Sequence, residues 1–495
     1  MSNYSESDFI IPAIIALGKK GGKISTTELI SVLTDFFQPD GDDVKIIKNR
    51  SDSFFSQKVR NLKAHNTLGK HGYAETTGDG WKLTNEGKLM YERLLGLLTP
   101  SRSSFQQIIN GVHSVFRPYI TAIKSKPFLL LAGISGTGKS RIVRELARAC
   151  WDVGSEEYKA QKPKNFEMVQ VKPNWHDSSE LIGYVSRVSG EPVFVAGEFL
   201  KFIAKAWEDS DVPYFLCLDE MNLAPVEQYF AEYLSVIESR KVREDGKITT
   251  DPIIKINTVD KWYHPLVASL TNDEDTRRRF LEDGICIPQN LIVVGTVNMD
   301  ETTFSFSRNV LDRAMTIEMN EVDLFGGLKQ RYEHIGKLGV AELVGAAVEG
   351  VDVYASYKDV CDIAIDYLQR INEKLEGTPF KVAYRTRNEA LLYVVNNLPY
   401  NQKANGEEML QEYVVARALD EITNMKILSR IEGDETKVSM KFLESLETAI
   451  KEGLEAICSS LFIEEESKEA YKSVSLAKLD EMKKRLASGY VSFWS

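Results

Sequence analysis

Residues 133–140 read GISGTGKS and fit the pattern G-x-x-x-x-G-K-[ST], which binds phosphate groups. Its glycines let backbone N–H groups converge on phosphate oxygens without Cβ clashes, and a helix that starts at the loop adds partial positive charge. Lys139 would reach the β- and γ-phosphates, and the Ser140 hydroxyl would bind Mg²⁺. The alternative is a chance glycine-rich turn. The residues predicted to bind the nucleotide here are Gly133, Ser135, Gly136, Thr137, Gly138, Lys139 and Ser140.

Two acidic residues, Asp219 and Glu220, end the apolar run PYFLCLDE. Such a run indicates a strand buried on both faces, and ligands of open α/β sheets bind at the carboxyl ends of the strands. We expect Asp219 to bind the nucleotide and Mg²⁺ together with Ser140, and Glu220 to polarise the attacking water as a general base. The alternative is a solvated acidic pair at the end of a strand.

Three further polar residues belong to the predicted site. Asn298 ends the strand-like run LIVVGTVN, where its amide could orient the attacking water; a turn-forming Asn is the alternative. Arg313 follows a short helical segment and could reach the γ-phosphate of a neighbouring subunit; the alternative is an intrachain salt bridge with Asp312 or Glu318. Arg385 could contact phosphate from a later helical region, or lie on a solvated helix start.

Other kinds of chemistry find no support in the sequence. The six histidines are scattered, and none pairs with a cysteine at the spacing of metal ligands. There is no convincing Ser-His-Asp or Cys-His pattern and no convincing P-D…(D/E)-x-K nuclease core. We therefore expect Mg²⁺ with GTP or ATP as the cofactors, and we expect any DNA cleavage to come from another chain.

Alternating strands and helices must position these residues. Strand-like runs lie at Phe128–Ala132, Glu167–Lys172, Tyr214–Leu218 and Leu291–Thr296, with helical segments between them. This alternation predicts an α/β fold with a parallel sheet flanked by helices. A polar segment, 240–289, separates the last two strands, and we expect a hairpin or a mobile insert there.

The chain is predicted to contain three structured regions. Residues 1–95 combine three helical patterns with the hairpin signal GYAETTGDGWKLT, which is typical of a small winged helix-turn-helix domain. Residues 96–107 read as a linker because Pro and Ser interrupt the pattern. Residues 108–325 form the predicted P-loop NTPase core, and 326–495 form an all-α lid and C-terminal region.

Length and composition indicate a globular protein of several domains. The chain has 495 residues, of which 43% are apolar and 27% charged, so disorder is excluded as the main state. Five cysteines exclude a disulfide scaffold. The net charge of −11 argues against bulk coating of nucleic acid but leaves a local basic surface open. The apolar stretch Phe9–Leu17 is too short to span a bilayer, so we expect a cytoplasmic protein without a membrane partner.

The combined motifs resemble the AAA+ module of McrB-type proteins, the NTPase subunits of modification-dependent restriction systems. The resemblance rests on the loop at 133–140, DEMNLAP and GTVNMDETTFSFSRNVLDRA after the third and fourth strands, VQVKPNWHDSSELIGYV after the second, and MKILSRIEGDE in the lid. It covers about residues 105–440. The family implies homo-oligomeric, hexameric rings, GTP hydrolysis and a partner nuclease subunit of the McrC type. The same matching implies Walker A, Walker B, sensor and finger roles for Lys139, Asp219, Glu220, Asn298 and Arg313.

The sequence departs from this family after the sensor asparagine. McrB-type proteins commonly read like NTADRS there, whereas this chain reads NMDETT without the arginine. Asp300 and Glu301 could carry the acidic part of that loop, and Arg308 could substitute for the basic part. The choice between GTP and ATP stays open, because AAA+ relatives mostly use ATP and no N-K-x-D guanine motif is present, while the family resemblance favours GTP.

The N-terminal region resembles the winged-helix domain of Mrr-type restriction proteins through ISTTELISVLTDFF, SFFSQKVRNLKAHNTL and GDGWKLTNEGK. Basic residues cluster there, among them Lys45, Lys48 and Arg50, with only Asp52 opposing them. On a helix in the major groove they would contact DNA phosphates; the alternative is a protein-docking domain with a solvated basic face. The predicted DNA contacts are Lys58, Arg60, Asn61 and Lys63 on the helix and Lys82 on the wing.

Two functions of different classes follow from these patterns. In the first, the winged helix recognises DNA, the ring hydrolyses nucleotide, and a separate nuclease cuts, as in a McrBC-like anti-phage restriction system. In the second, the chain is a MoxR- or midasin-like remodelling ATPase whose winged helix docks protein. The NTPase motifs are common to both, so the N-terminal domain must distinguish them.

Overall fold

The chain forms two compact units, Met1–Gln107 and Ile108–Ser495, which are described separately. The predicted linker 96–107 lies outside the residues that the structure describes. The computed structural model describes residues 9–37, 39, 43–47, 52–70, 72–88, 90–91, 116–188, 190–243, 246–257, 259, 261–299, 306–320, 324, 335–402, 408–463 and 471–494.

Helices precede a β-hairpin in the N-terminal unit. The strands pair antiparallel in the order β1-β3-β2, and Thr76 lies opposite Trp81 across the hairpin. The third helix buries Phe55, Val59 and Leu62 on one face, as their helical spacing requires. The labelled elements are α1 Ile10–Lys19, β1 Lys23–Ser25, α2 Thr26–Phe37, α3 Phe54–Ala64, α4 Thr67–Lys70, β2 Ala74–Thr76 and β3 Gly80–Leu83.

A five-stranded sheet forms the centre of the second unit. Its order is β14-β4-β13-β8-β5, and each neighbouring pair is parallel. The predicted parallel sheet is therefore confirmed. The strands of this unit are β4 Phe128–Gly133, β5 Phe166–Gln170, β6 Gly183–Ser186, β7 Val193–Ala196, β8 Tyr214–Asp219, β9 Lys241–Val242, β10 Ile248–Thr249, β11 Pro252–Ile254, β12 Ile285–Cys286, β13 Leu291–Asn298, β14 Met315–Glu318, β15 Glu432–Asp434 and β16 Tyr490–Ser492.

Helices cover both faces of this sheet, which explains why the residues of β4 are buried and apolar throughout. The helices of this unit are α5 Arg117–Ser125, α6 Lys139–Ala149, α7 Glu156–Lys159, α8 Glu198–Glu208, α9 Val226–Tyr229, α10 Ala231–Val236, α11 Tyr263–Leu270, α12 Glu274–Asp283, α13 Arg308–Leu311, α14 Val340–Leu343, α15 Gly350–Tyr354, α16 Lys358–Lys374, α17 Tyr384–Asn397, α18 Gln411–Lys426, α19 Met440–Ile457 and α20 Val474–Leu486.

The polar segment 240–289 contains ordered elements. Strands β9 and β10 form the expected hairpin, with Ile248 opposite Val242. A second antiparallel pair, β11 with β12, encloses helices α11 and α12. The Tyr263 hydroxyl donates to the Phe280 carbonyl at 2.6 Å and so ties the two helices together.

Buried polar contacts join the C-terminal helices to the core. The Arg117 guanidinium of α5 forms an ion pair with Glu421 of α18, and the Tyr393 hydroxyl of α17 donates to the same carboxylate at 2.7 Å. Burial by itself would raise the pKa of Glu421, but Arg117 lowers it below the usual value. The prediction that residues 326–495 are all-α is wrong in one detail, because they also contain the short antiparallel pair β15–β16. This pair ties the chain after α20 back to the end of α18, a contact between segments that are distant in the sequence.

Among the described residues, none of the helices combines the length and the apolar character that a bilayer crossing requires.

Candidate nucleotide-binding site

The phosphate-binding loop connects β4 to α6, which begins at Lys139. Gly136 and Gly138 each have a φ of 85°, a left-handed backbone that favours glycine. Lys139 is only 6% exposed, and its Nζ donates to the carbonyl oxygens of Gly133 at 2.9 Å and Ile134 at 2.8 Å. The ammonium group therefore lies within the loop, where phosphate oxygens could replace the carbonyls.

Ser140 and Asp219 meet at the carboxyl edge of the sheet. The Ser140 hydroxyl donates to Asp219 Oδ1 at 2.5 Å, and the Thr296 hydroxyl of the neighbouring strand β13 donates to the same oxygen at 2.8 Å. A hydroxyl and a carboxylate are the oxygen ligands that Mg²⁺ prefers, and Mg²⁺ usually takes its other ligands from water and phosphate. The pair therefore fits a magnesium ion that also binds a nucleotide.

Glu220 has an unusual backbone for a non-glycine residue, with φ 54° and ψ 50°. Its N–H donates to the Thr296 hydroxyl at 3.0 Å, and its carboxylate accepts from Asn298 Nδ2 at 3.2 Å. Strained backbone of this kind is concentrated at functional sites, where the surrounding structure holds it. The geometry fits a carboxylate that is aimed at a water molecule and held by an amide.

A polar relay leads from the C-terminal helices to the phosphate-binding loop. The Ile134 N–H donates to Asn320 Oδ1 at 3.1 Å, and Asn320 Nδ2 donates to Glu318 Oε1 at 2.5 Å. The same Glu318 oxygen accepts from Lys478 Nζ of α20 at 2.7 Å. Lys478 is 3% exposed, so this ion pair is shielded from water.

Arg313 lies at the amino ends of the parallel strands, whereas the phosphate-binding loop lies at their carboxyl ends. It precedes β14, and β14 runs parallel to β4, so Arg313 lies near the amino end of β4 while the phosphate-binding loop lies at the carboxyl end. Met315 pairs with Leu129, so Arg313 is level with Pro127, six residue steps before Gly133, which is roughly 20 Å. Arg313 therefore cannot reach a γ-phosphate in its own loop.

The salt bridges considered for Arg313 are not the ones that form. Asp312 pairs with Arg430 at 3.0 Å and Glu318 with Lys478, whereas the Arg313 Nε lies 3.8 Å from Glu238. The Arg313 Nη1 also donates to the Asn309 carbonyl at 2.8 Å.

Arg385 lies beside Arg313 and away from the phosphate-binding loop of its own chain. Its Nη2 is 2.5 Å from Glu238 Oε2, and the other oxygen of Glu238 lies 3.4 Å from Lys126 Nζ. Lys126 lies two residues before the start of β4, so this group is also at the amino edge of the sheet. A phosphate contact by Arg385 would have to involve a nucleotide of another subunit.

The structure thus brings the loop residues, Asp219, Glu220 and Asn298 together, and places Arg313 and Arg385 elsewhere. Arg308 starts α13, with its guanidinium 5.0 Å from the centre of the Phe380 ring. Asp300 and Glu301 lie outside the described residues, so the interpretation of their loop stays a prediction.

Arg60 and Lys63, which are among the predicted DNA contacts, form polar contacts within the N-terminal unit. Arg60 Nε lies 3.3 Å from Asp52 Oδ1, and Lys63 Nζ donates to the Gly78 carbonyl in the hairpin turn at 2.9 Å. Lys82 is exposed on β3. Lys58 and Asn61 are half-buried on α3, while Lys48 and Arg50 lie outside the described residues.

Sequence reasoning missed Thr296, Asn320 and Glu238. Thr296 left a signal, because it precedes Asn298 by two residues and so points to the same side of a strand. Asn320 and Glu238 left none, because their partners are distant in the sequence.

Comparisons with known proteins agree with this geometry. Residues 128–280 match the family model of an AAA domain (dynein-related subfamily), and residues 346–490 match that of a domain of unknown function (DUF8727). A similar curated protein is the type IV methyl-directed restriction enzyme EcoKMcrB subunit of Escherichia coli (strain K12). It is 23% identical over 253 residues, which are 50% of this chain and 47% of that protein.

The chain thus spans about half the length of the curated relative that it matches. The AAA match ends before Asn298 and Arg313, so this family model does not cover these two residues. The family match, the similarity to McrB and the five-stranded parallel sheet together support an α/β P-loop nucleoside triphosphatase of the AAA+ class, with McrB-like features.

Proposed function

We propose that this chain is the NTP-hydrolysing motor subunit of a McrBC-like, modification-dependent restriction system that acts with a separate McrC-like nuclease subunit. The observation that carries the hydrolytic part of the proposal is the pair of hydrogen bonds Ser140–Asp219 and Asn298–Glu220 at the mouth of the phosphate-binding loop. The similarity to the EcoKMcrB subunit supports the restriction-system part. This arrangement suits phosphoryl transfer, in which most of the catalysis is positioning and charge stabilisation.

Each residue has a defined task in the proposed hydrolysis. Lys139 leaves the carbonyls of its own loop and contacts the β- and γ-phosphates. Ser140 and Asp219 would hold Mg²⁺, which supplies charge neutralisation of the phosphates when it is bound. Glu220 accepts a proton from the attacking water, while the Asn298 amide fixes the carboxylate.

The position of Arg313 supports an oligomeric enzyme. Because Arg313 lies roughly 20 Å from its own phosphate-binding loop, it would complete the site of a neighbouring copy. A guanidinium supplied in this way stabilises the charge that develops on the γ-phosphate. A closed ring, hexameric by analogy with the resembled family, gives every site such a neighbour.

The N-terminal unit is the proposed DNA reader. Its order of helices followed by a hairpin matches that of a winged helix, with α3 as the helix that would enter the major groove. The predicted contacts Lys58 and Asn61 lie on α3, and exposed Lys82 lies on the hairpin.

A nucleotide panel tests this proposal most directly. Hydrolysis of GTP and ATP is measured with and without a candidate nuclease encoded by a neighbouring gene, and with modified or unmodified duplex DNA. We expect Mg²⁺-dependent hydrolysis that the nuclease stimulates, and DNA cleavage only when both proteins and nucleotide are present. Hydrolysis without any response to DNA or nuclease would instead favour the remodelling ATPase.

A further inference from the structure

Glu238 lies between three cationic side chains at the amino edge of the sheet. Its carboxylate is 2.5 Å from Arg385, 3.4 Å from Lys126 and 3.8 Å from Arg313. These residues come from four separate segments: the residue after α5, the turn after α10, the turn before β14 and the start of α17. One carboxylate therefore holds two arginines from distant parts of the chain next to each other.

The surroundings of Glu238 carry excess positive charge. A second carboxylate, Glu389, lies between Lys126 at 3.2 Å and Lys426 at 2.7 Å, and Asp312 pairs with Arg430. Among the described residues, the ion pairs of this cluster join five cations to three carboxylates, in a protein whose net charge is −11. Such local excess attracts an anion with several negative charges.

A lysine of the C-terminal helical region holds the backbone next to Arg313. Buried Lys426 of α18 donates to the carbonyl oxygens of Leu311 at 3.2 Å, Asp312 at 2.8 Å and Ala314 at 2.8 Å. These bonds hold the main chain on both sides of Arg313 but do not fix its long side chain. Within the described part of the chain, Glu238 is the carboxylate that forms an ion pair with the Arg313 guanidinium.

We infer that Glu238 is a positioning residue that holds Arg313 and Arg385 side by side, so that both guanidiniums face the γ-phosphate of a nucleotide bound by a neighbouring copy. The inference rests on the proposed function. Two adjacent guanidiniums repel each other, and a carboxylate between them offsets this repulsion. Their side chains are 22% and 36% exposed, so a triphosphate can reach them.

Glu238→Gln tests this role because it removes the charge and keeps the shape. We expect kcat of the assembled enzyme to fall about 10- to 100-fold, as for other misplaced catalytic groups. KM should change less than about twofold, because the nucleotide-binding loop of the same chain is intact. Glu232→Gln, on the preceding helix α10, is the matched control and should behave as the wild type.

Mixing of inactive variants shows on which subunit Glu238 acts. A copy with Glu238→Gln keeps a working loop and Glu220, and a copy with Glu220→Gln keeps correctly held arginines. Mixed assemblies of the two should regain hydrolysis, whereas Glu238→Gln mixed with Arg313→Ala should not, because both lack the same surface. Glu238→Asp keeps the charge and should retain more activity than Glu238→Gln.

The outcomes separate this inference from the proposed function. A wild-type kcat for Glu238→Gln would overturn the role of Glu238 and leave the proposed function intact. The same holds if Glu220→Gln restores hydrolysis when mixed with Arg313→Ala but does not restore it when mixed with Glu238→Gln. Absence of any hydrolysis by the wild type would overturn the proposed function itself. If Glu238→Gln does not fold, Arg385→Gln decides: a wild-type kcat overturns the inference that both arginines act, and a lowered kcat with unchanged KM, restored in mixtures with Glu220→Gln, supports it.

Discussion

At the scale of single residues, one hydroxyl connects the two acidic groups of the site. Thr296 donates to Asp219 and accepts from the N–H of Glu220, so it orients the predicted metal ligand and the predicted base together. This contact restrains the backbone of Glu220, which lies in the left-handed region. The site is thus held by a strand interior as well as by loops.

Glu220→Gln tests the general-base role. The amide keeps the shape of the side chain but cannot accept a proton, so we expect nucleotide binding to persist while kcat falls on the order of 100-fold or more. Equilibrium binding of a fluorescent nucleotide and steady-state hydrolysis measure the two effects. Wild-type turnover in this variant would refute the role.

Thr296→Val tests the connecting hydroxyl. Valine keeps the volume and removes both hydrogen bonds, each of which involves a charged or strained group, so we expect kcat to fall about tenfold. Thr316→Val on β14 is the matched control, because the buried Thr316 hydroxyl has no hydrogen-bond partner among the described residues. The control should keep full activity; equal losses in both variants would show that only packing matters.

At the scale of elements, the sequence predicted the strands of the sheet well, but it did not predict the contacts between segments that are distant in the chain. Runs such as Leu291–Thr296 were readable because a strand buried on both faces is continuously apolar. The ends of the strands also placed Asp219 and Asn298 correctly at one edge of the sheet. The contacts of Asn320 and Glu238 were not predictable, because they join segments that only the folded topology brings together.

The position of Arg385 shows the same limit. The sequence pattern predicted that Arg385 lies at the start of a helix after the NTPase core. A phosphate contact from the lid was the expectation that followed. The packing of α17 against α5 decides which edge of the sheet it faces, and no local pattern encodes that choice. The ion pair with Glu238 then follows from proximity.

Lys478→Met tests whether α20 supports the phosphate-binding loop. Without the ion pair, Glu318 no longer holds Asn320, and Asn320 no longer holds the N–H of Ile134 in the phosphate-binding loop. We therefore expect KM for nucleotide to rise about 3- to 10-fold, with a smaller change in kcat. Lys483→Met is the matched control on the same helix, because its partner Glu447 has no link to the loop. A fall in melting temperature without a change in KM would mean that the relay is only structural.

At the scale of the whole molecule, charge is unevenly distributed. The chain carries −11 overall, yet the amino edge of the sheet and the surface of α3 with the hairpin both present cations. The sequence alone suggested the second of these basic surfaces. It could not suggest the first, which is assembled from four segments.

The proposed DNA contact is testable on the full chain through its salt dependence. Replacing Lys58 and Lys82 by glutamine should weaken binding to duplex DNA and lower the slope of log K against log salt by about two, because each phosphate contact contributes about 0.9. Lys19→Gln with Lys20→Gln, at the exposed end of α1, is the control of equal charge and should leave that slope nearly unchanged. An equal loss of DNA affinity in both variants would indicate that general charge attraction, and not a defined contact, binds the DNA. If the wild type binds neither modified nor unmodified DNA at low salt, a protein partner for this unit is favoured.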